Sequence, residues 1–410
     1  MHIASGRLRL GTCRSTSKPG AAAPIMPANI AVMHRKPRMA SWVVGAAEVA
    51  TSPDKDVSDS SSSALVIDRE AQERRLAERR SYLMRDMCTT LASDLRHMFV
   101  SGQLTRAVYD RDILFTDPLT SVRGIDVYAA LIGALRAFNT RLDLHTCEVV
   151  GEDTVVARWS MDLTAWMLPW APTITITGTT TYLVDLDSGR VVQHVDTWDA
   201  ISHQEFISLE GLVHLMRQAL QLQLTPRLDS CKYRVLLKTG EYEVRSYTDF
   251  LVAATNMGPV SGPASGAGFT ALAAYVGGAN DTGAQLEMTT PVLTAVAPGQ
   301  QGACMEFVME HRYLDVSQLP APTDGRVALR GVHLGYCAVA RFTGWPLDHE
   351  VVSAELALRA ALVRDGLDPE PGYRLARYAT PTSTTPPFLR RNEVIIRLPG
   401  FTWPLPTQTR

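Results

Sequence analysis

The sequence predicts an α+β chain of two units, a curved antiparallel sheet wrapped around helices and then a strand-rich unit flanked by two helices. Three observations predict it. Segments rich in Val, Thr and Ile alternate polar with apolar residues, the two-residue period of half-buried strands. Stretches with apolar residues at three- and four-residue spacings precede and follow the first strand run. In the second half the order strand, strand, helix, strand occurs twice, from Tyr233 to Val296 and from Cys304 to Val394, as a diverged internal duplication would place it. The length of 410 residues suits two domains, and 46% hydrophobic with 20% charged residues lets each bury a core.

Residues 1–63 read as a transit peptide and linker. No acid occurs before Glu48, while Arg7, Arg9, Arg14, Lys18, Arg35, Lys36 and Arg38 stand among Ala, Ser, Pro and Thr. The run "SPDKDVSDSSSS" buries no apolar surface and reads as disordered. From Ala64 to Phe99 charge is mixed with Leu, Met and Phe at helical spacing. There Arg74, Arg75, Arg79 and Arg80 are interleaved with Glu73 and Glu78, which makes a solvated helix face. Strands follow in "EVVGEDTVVARWSMDLTAWM" and "TITITGTTTYLVDLDSGRVVQHVDTWDAI", with hairpin turns at Gly151-Glu152-Asp153 and Asp187-Ser188-Gly189. A helix near Leu209 to Leu222 closes this unit, so its bounds are set at 64–224.

The second unit is set at 230–400, with 401–410 as a tail. It opens on "YRVLLKTGEYEVRSYTDFLVAAT" and ends on "NEVIIRL", with helices at Gly268 to Val276 and Val351 to Asp365. Strands are expected at Met288 to Val296, Cys304 to Val308 and Gly335 to Phe342. The Pro-rich run Thr380 to Phe388 is a loop.

A net charge of −2 gives no basic surface for nucleic acid. The six cysteines are dispersed without CxxC or CxxCH, and read as reduced thiols with neither a clustered zinc site nor covalent haem attachment. No apolar run is long enough for a transmembrane segment. Neither G-x-S-x-G nor H-E-x-x-H occurs. His311, His333 and His349 lack metal-ligand spacing, so no metal site and no catalytic residue is assigned. The glycines of "GPASGAGF" lack the strand that a dinucleotide loop requires, and read as a lead into a helix.

One constellation stands out in the first unit. Trp159, Trp166 and Trp170 precede "HVDTW", where His194, Asp196 and Trp198 share one strand face. The residue types allow acid/base work on a small molecule in a cone-shaped pocket; the structural alternative is that His194 and Asp196 satisfy each other among aromatics.

In the second half "YEVRSY", "YVGGAND", "MTTPV", "PAPTDGRV" and "RRNEV" fall in order between Tyr233 and Pro399, and this set resembles the SOUL haem-binding protein family. In the first half "FTDPLT", "RWSM", "LPWAP", "TGTTTY", "HVDTWD" and "FISLEGLVHL" resemble the DUF2358 domain that precedes SOUL domains in plant and algal plastid proteins. The resemblances imply an NTF2-like cone followed by a SOUL-type distorted antiparallel β-barrel flanked by two helices. They also imply reversible, non-covalent binding of haem or another tetrapyrrole in an apolar cleft beside the first helix of the second unit, in a chloroplast protein that is soluble or peripheral. Phe269, Leu272, Tyr275, Met288 and Val292 would form the walls. Ala267 to Gly278 lacks Lys and Arg, so propionates would pair with Arg341, Arg390 or Arg391. A carrier, buffer or sensor role without catalysis is the first expectation. The alternatives are a scaffold that meets protein partners, lipid globules such as plastoglobules or an eyespot, or thylakoid membrane, and an NTF2-like enzyme acting on a small apolar molecule.

Overall fold

A computed structural model describes residues 59–201, 208–220, 228–257, 263–298, 302–379 and 385–403. The transit-like leader up to residue 58 and residues 404–410 lie outside them.

The first helix, α1, spans Asp59–Ser101, so the serine run assigned to a linker is already helical. Its second half buries Met84, Met87, Leu91, Leu95 and Met98, which the three- and four-residue steps place on one face. Arg74, Arg75 and Arg79 remain in solvent, as the interleaved charges predict. The buried stripe packs against a sheet built from β1 (Tyr109–Thr116), β2 (Ser121–Arg123), β3 (Arg141–Val150), β4 (Thr154–Thr164), β5 (Thr173–Asp185) and β6 (Arg190–Trp198), in the order β2-β1-β6-β5-β4-β3. Gly151 and Gly189 close the β3–β4 and β5–β6 hairpins at φ of +79° and +64°, where a Cβ would be strained. β1 joins β6 in parallel, a departure from the all-antiparallel expectation. The excursion between them is long enough to bring the chain back in the same direction. Helix α2 (Ile125–Arg136) fills one side of the curve with Tyr128 and Ile132, and α3 (Leu209–Ala219) lies on β5, where the Gln218 amide exchanges two hydrogen bonds with the Thr175 backbone.

Two cysteines read as isolated are neighbours here. Cys88 on α1 and Cys147 on β3 bring their sulfurs to 3.4 Å. Burial and the bond to Cys88 push the Cys147 thiol up, which keeps it protonated and unreactive at neutral pH.

The second unit begins with β7 (Asp229–Ser230), β8 (Tyr233–Lys238), β9 (Glu243–Tyr247) and β10 (Phe250–Met257), followed by α4 (Pro263–Val276). Next come β11 (Thr289–Thr290), β12 (Val292–Val296), β13 (Ala303–Val308), β14 (Ala328–Val332), β15 (Tyr336–Phe342), α5 (Asp348–Arg364), β16 (Tyr373–Arg377) and β17 (Asn392–Arg397). Nine strands form one antiparallel half-barrel, β14-β10-β13-β12-β16-β17-β15-β9-β8, while β11 pairs separately with β7. Strand alternation gives the half-barrel two faces. The inner face carries Val252, Ala254, Leu293, Val339, Ala376 and Ile395. The outer face receives α4 over Ala253, Met305 and Phe307, and α5 over Ala338, Val394 and Ile396. The strand expected from Met288 to Val296 is interrupted at Pro291, which has no N–H to give a ladder. Phe401, assigned to a tail, is buried in the α5 cluster.

The units meet along β8, which runs against β4 and β5. Lys238 donates its backbone N–H to Thr177 Oγ1 at 2.7 Å, and Arg158, paired with Asp199, donates to the Leu236 carbonyl at 3.3 Å. Trp403 lies over Arg158 and edge-on to His145. Burial, then Arg234 and Arg158, lowers His145 to about 4, against the opposing pull of Asp143 and Asp199. Burial, then Lys238 and Arg217, lowers His214 to about 4, opposed by Glu210. An imidazole neutral in the fold but protonated near pH 6.5 when unfolded favours the fold above that pH, and its contribution is lost as pH falls toward 4. Both rings are partly exposed and screened, so about 1 kcal/mol each is expected. The urea midpoint should drop between pH 6.5 and 4, and the double variant His145→Gln/His214→Gln should flatten that slope. An unchanged slope would remove the histidines as its cause.

Candidate functional site

The outer face beside α4 is where the sequence places its apolar walls. Helix α4 ends at Gly277-Gly278, the latter at φ +113°, and Asn280 locks the turn by donating to the carbonyls of Tyr275 (3.3 Å) and Ala284 (2.8 Å). The "YVGGAND" motif therefore sets the exit of α4. Its Tyr275 is buried and donates its hydroxyl to the Pro320 carbonyl at 2.9 Å; Leu272 is fully buried among Ala253, Met305 and Phe307. Phe269 packs edge-on against Phe307. These three side chains form the wall behind the surface. Met288 is 48% exposed and Val292 half-buried, so they stand in front of it. Val276, Glu287, Met288, Thr289, Pro291, Val292, Phe307 and Val308 line a space of about 10 Å³. That is a seam, far below the several hundred Å³ of a formed ligand cavity.

The three arginines expected at the rim are elsewhere. Arg341 and Arg391 belong to a charged cluster on the inner face. There Glu393 accepts from Arg245 (2.9 and 3.0 Å), Arg391 (2.7 Å), Tyr378 (2.9 Å) and Arg341 (3.4 Å). Glu243 joins through Arg245 and Lys238. Arg390 is buried under the Trp345 ring, 3.7 Å from its centroid, and donates to the Thr385 carbonyl. Sequence spacing alone could not say which sheet face each arginine takes, since one residue of register moves a side chain to the other side. Arg341 and Arg391, with Tyr233, Lys238 and Glu243, instead line a polar cavity of about 480 Å³ at the junction with the first unit.

A different arginine lies on the outer face. Arg377 is paired in register with Val292, and directly opposed residues share a face. Its Nη2 donates to Thr294 Oγ1 at 2.9 Å, while its Nε is shielded from solvent and has no hydrogen-bond partner. Burial lowers its pKa, with no acid acting against it. Sequence reading missed it because "YRLAR" carries no motif and its pairing with β12 is made only by the fold.

In the first unit Trp159, His194, Asp196 and Trp198 do converge. His194 is buried, and its Nε2 lies 2.9 Å from Asp196 Oδ1 and its Nδ1 3.0 Å from the Tyr128 hydroxyl. A carboxylate accepts only, so Nε2 carries the proton and Nδ1 accepts from Tyr128. Thr180 bridges Asp196 to the Trp159 indole. Both ring nitrogens are committed, which matches the alternative in which the pair satisfies itself. Trp166 does not join: it is exposed and its indole donates to the Ala137 carbonyl. Asp117, within "FTDPLT", was missed; burial, with Asp196 nearby, raises it to about 6 although Leu119 and Thr120 donate to it.

Comparison with known proteins follows these two units. Residues 228–397 match the family described as SOUL heme-binding protein, and residues 85–194 match the family described as an uncharacterized conserved protein, DUF2358. No curated protein matches. Similar solved structures include SalBIII, an epoxide hydrolase/cyclase-like enzyme of pyran ring formation in salinomycin, at 8% identity, covering 28% of this chain and 93% of that one, with a TM-score of 0.26. Others are an NTF2-like protein of unknown function from Exiguobacterium sp. 255-15 (17%, 27% and 99%, TM-score 0.24) and the EcmrR C-terminal domain (11%, 40% and 97%, TM-score 0.31). Likenesses of that size carry no functional weight. Residues 228–397 thus belong to the SOUL heme-binding protein family and follow a DUF2358 segment at residues 85–194.

Proposed function

We propose that the half-barrel binds haem or a related tetrapyrrole reversibly and without covalent attachment, as a carrier, buffer or sensor and not as a catalyst. The family match across residues 228–397 carries this reading. The outer face fits the demand of a flat macrocycle for apolar contact on one side, with Met288 and Val292 in front and Phe269, Leu272 and Tyr275 holding them from behind. A bound tetrapyrrole would supply the absorbance and any redox chemistry; the chain's own residues exclude water from one ring face. Arg341, Arg390 and Arg391 do not border this surface in the structure, and the proposal does not use them. The basic, acid-free leader supports a plastid setting.

Titration of the full chain with hemin tests the proposal. A saturable Soret shift is expected, weakened at least about tenfold by Met288→Asp with an unchanged unfolding midpoint, since burying a carboxylate against the ring is unfavourable. Absence of a saturable shift in the unsubstituted chain would overturn it.

A second role is favoured by one observation. Helix α3 and its C-cap expose Leu209, Leu212, Val213, Met216 and Leu220, and Trp170 donates its indole to the Ala219 carbonyl at the same end. Among the described residues no helix is long and apolar enough to cross a membrane. This stripe suits peripheral attachment to a lipid surface. Co-flotation with liposomes, lost in Leu212→Glu/Met216→Glu, is the expected result.

A further inference from the structure

We propose that Cys88 and Cys147 form a reversible disulfide that latches α1 to β3, the edge strand of the first sheet, and so ties the packing of the first unit to thiol–disulfide exchange. The latch belongs to the first unit and is independent of the tetrapyrrole reading.

The fold brings these thiols together from 59 positions apart in the chain. Cys88 lies on the inward stripe of α1, one turn after Met84 and one before Leu91, both buried. Cys147 faces that stripe because β3 is irregular. Its register against β4 shifts between Leu144 and Thr146, so its inward side passes from even to odd positions: Leu142 and Leu144 oppose Met161 and Trp159, and Cys147 opposes Ala157. Directly opposed residues share a face, and Ala157, Trp159 and Met161 are all buried. In an unshifted strand Cys147 would point to the outer surface. Both cysteines pack on the same core cluster, which holds α1 and β3 on either side of them. The Cys88 thiol donates to Cys147 Sγ at 3.4 Å, and the Cys147 thiol donates to the Cys88 carbonyl at 3.5 Å. A disulfide needs its sulfurs about 2.05 Å apart, which leaves roughly 1.4 Å to close. Shared between two side chains, that is a small rotation at each.

Exchange with a small disulfide such as oxidised glutathione makes the bond in two displacements. Both cysteines are partly exposed, so the reagent reaches them. The Cys88 thiol loses its proton and its sulfur attacks one glutathione sulfur; a Cys88–glutathione mixed disulfide forms, and one glutathione thiolate leaves. Cys147 then loses its proton and attacks the Cys88 sulfur, and the second glutathione thiolate leaves. Two protein thiols are oxidised, one glutathione disulfide is reduced, and the two released protons are taken up by the two leaving thiolates. The surroundings set this order. Burial first, then the hydrogen bond and charge of Cys88, push the Cys147 thiol up, against the pull of Arg96. Conversion of Cys88 to a mixed disulfide removes both of its contributions, so Cys147 becomes the better nucleophile only after Cys88 has reacted. Cys231 and Cys337, buried in the half-barrel and pushed up to about 12 by that burial, stay out of the exchange.

The experiment equilibrates the folded full chain with oxidised glutathione, unsubstituted and as Cys88→Ser or Cys147→Ser, and reads the products by peptide mapping and mass. In the unsubstituted chain the peptides of Cys88 and Cys147 should be joined to each other, with no glutathione kept at either position, and dithiothreitol should restore both thiols. Cys147→Ser should stop with one glutathione on Cys88, while Cys88→Ser should leave Cys147 reduced. The thermal midpoint of the oxidised unsubstituted chain should exceed that of its reduced form by about 5 °C, because the bond closes a long loop in the unfolded chain. Oxidant should raise the midpoint of neither variant. Survival of both thiols in the unsubstituted chain, glutathione retained on Cys88 there, or a link from either residue to another cysteine overturns the inference. A Cys88–Cys147 bond that forms but leaves the midpoint unchanged or lower shows that it does not latch α1 to the sheet, and overturns it too.

Discussion

Glu393→Ala is expected to destabilise the half-barrel by about 3–5 kcal/mol, the usual cost of stranding a buried charge. Glu393 and Arg245 are both fully buried, and the carboxylate receives the Arg245 fork on two oxygens. Arg391, Arg341 and the Tyr378 hydroxyl converge on the same group. Removing it leaves Arg245 with Glu243 as its remaining acid, in a cluster where Lys238, Arg341 and Arg391 add further positive charge. Burial alone would push the Glu393 carboxyl up, but Arg245 and Arg391 hold it well below the ordinary range. Its folded pKa thus lies below the unfolded value of about 4.3, so its contribution is fully present above that pH and is lost as the pH falls below it. Urea unfolding followed through the half-barrel at pH 7 should show the full loss, and a smaller difference between Glu393→Ala and the unsubstituted chain below about pH 4. Equal stability of the two chains at pH 7 would mean that solvent or a neighbouring acid compensates the arginines. Glu393→Gln, which keeps the shape and an acceptor oxygen, separates the share due to charge.

The buried cluster also explains which parts of the molecule could be read from the residues. Elements with a strong local period were legible: the α1 stripe, the Gly151 and Gly189 hairpins, and the two helices of the duplicated unit all stand where period and turn chemistry put them. Elements whose stability is tertiary were not. Helix α2 begins at Gly124 without a side-chain cap, and β14 and β16 are five-residue strands without a strong apolar run. The site failed in a similar way. Tyr275, Met288 and Val292 lie within the matched motifs and gather with Phe269 and Leu272 beside α4, while Arg341 and Arg391, expected at the rim, stand on the inner face. A buried arginine on the inner face is indistinguishable in sequence from a rim arginine; only the partners decide, and Glu243 and Glu393 lie 150 residues apart in the chain. Arg377 escaped notice because its pairing with β12 is made only by the fold.

Leu272→Ala should cost about 3–4 kcal/mol, whereas Met288→Asp should cost less than about 0.5 kcal/mol, although both positions belong to the proposed seat. Leu272 is fully buried where α4 meets the sheet, between Ala253, Met305 and Phe307, so truncation opens a cavity that the strands on one side cannot fill by moving. Met288 is half in solvent, and a carboxylate there loses little hydration until a ligand covers it. The two substitutions therefore separate support from contact. Leu272→Ala should lower the unfolding midpoint and weaken hemin binding in proportion to the population of intact α4; added ligand should recover part of the midpoint. Met288→Asp should leave the midpoint in place and weaken binding directly. If Leu272→Ala bound hemin as well as the unsubstituted chain while unfolding earlier, the ring would rest on the exposed residues alone and α4 would not be its wall. If Met288→Asp left affinity unchanged, the site would have to lie away from the Met288-Val292 seam, and the polar junction cavity lined by Arg341 and Arg391 would become the place to look.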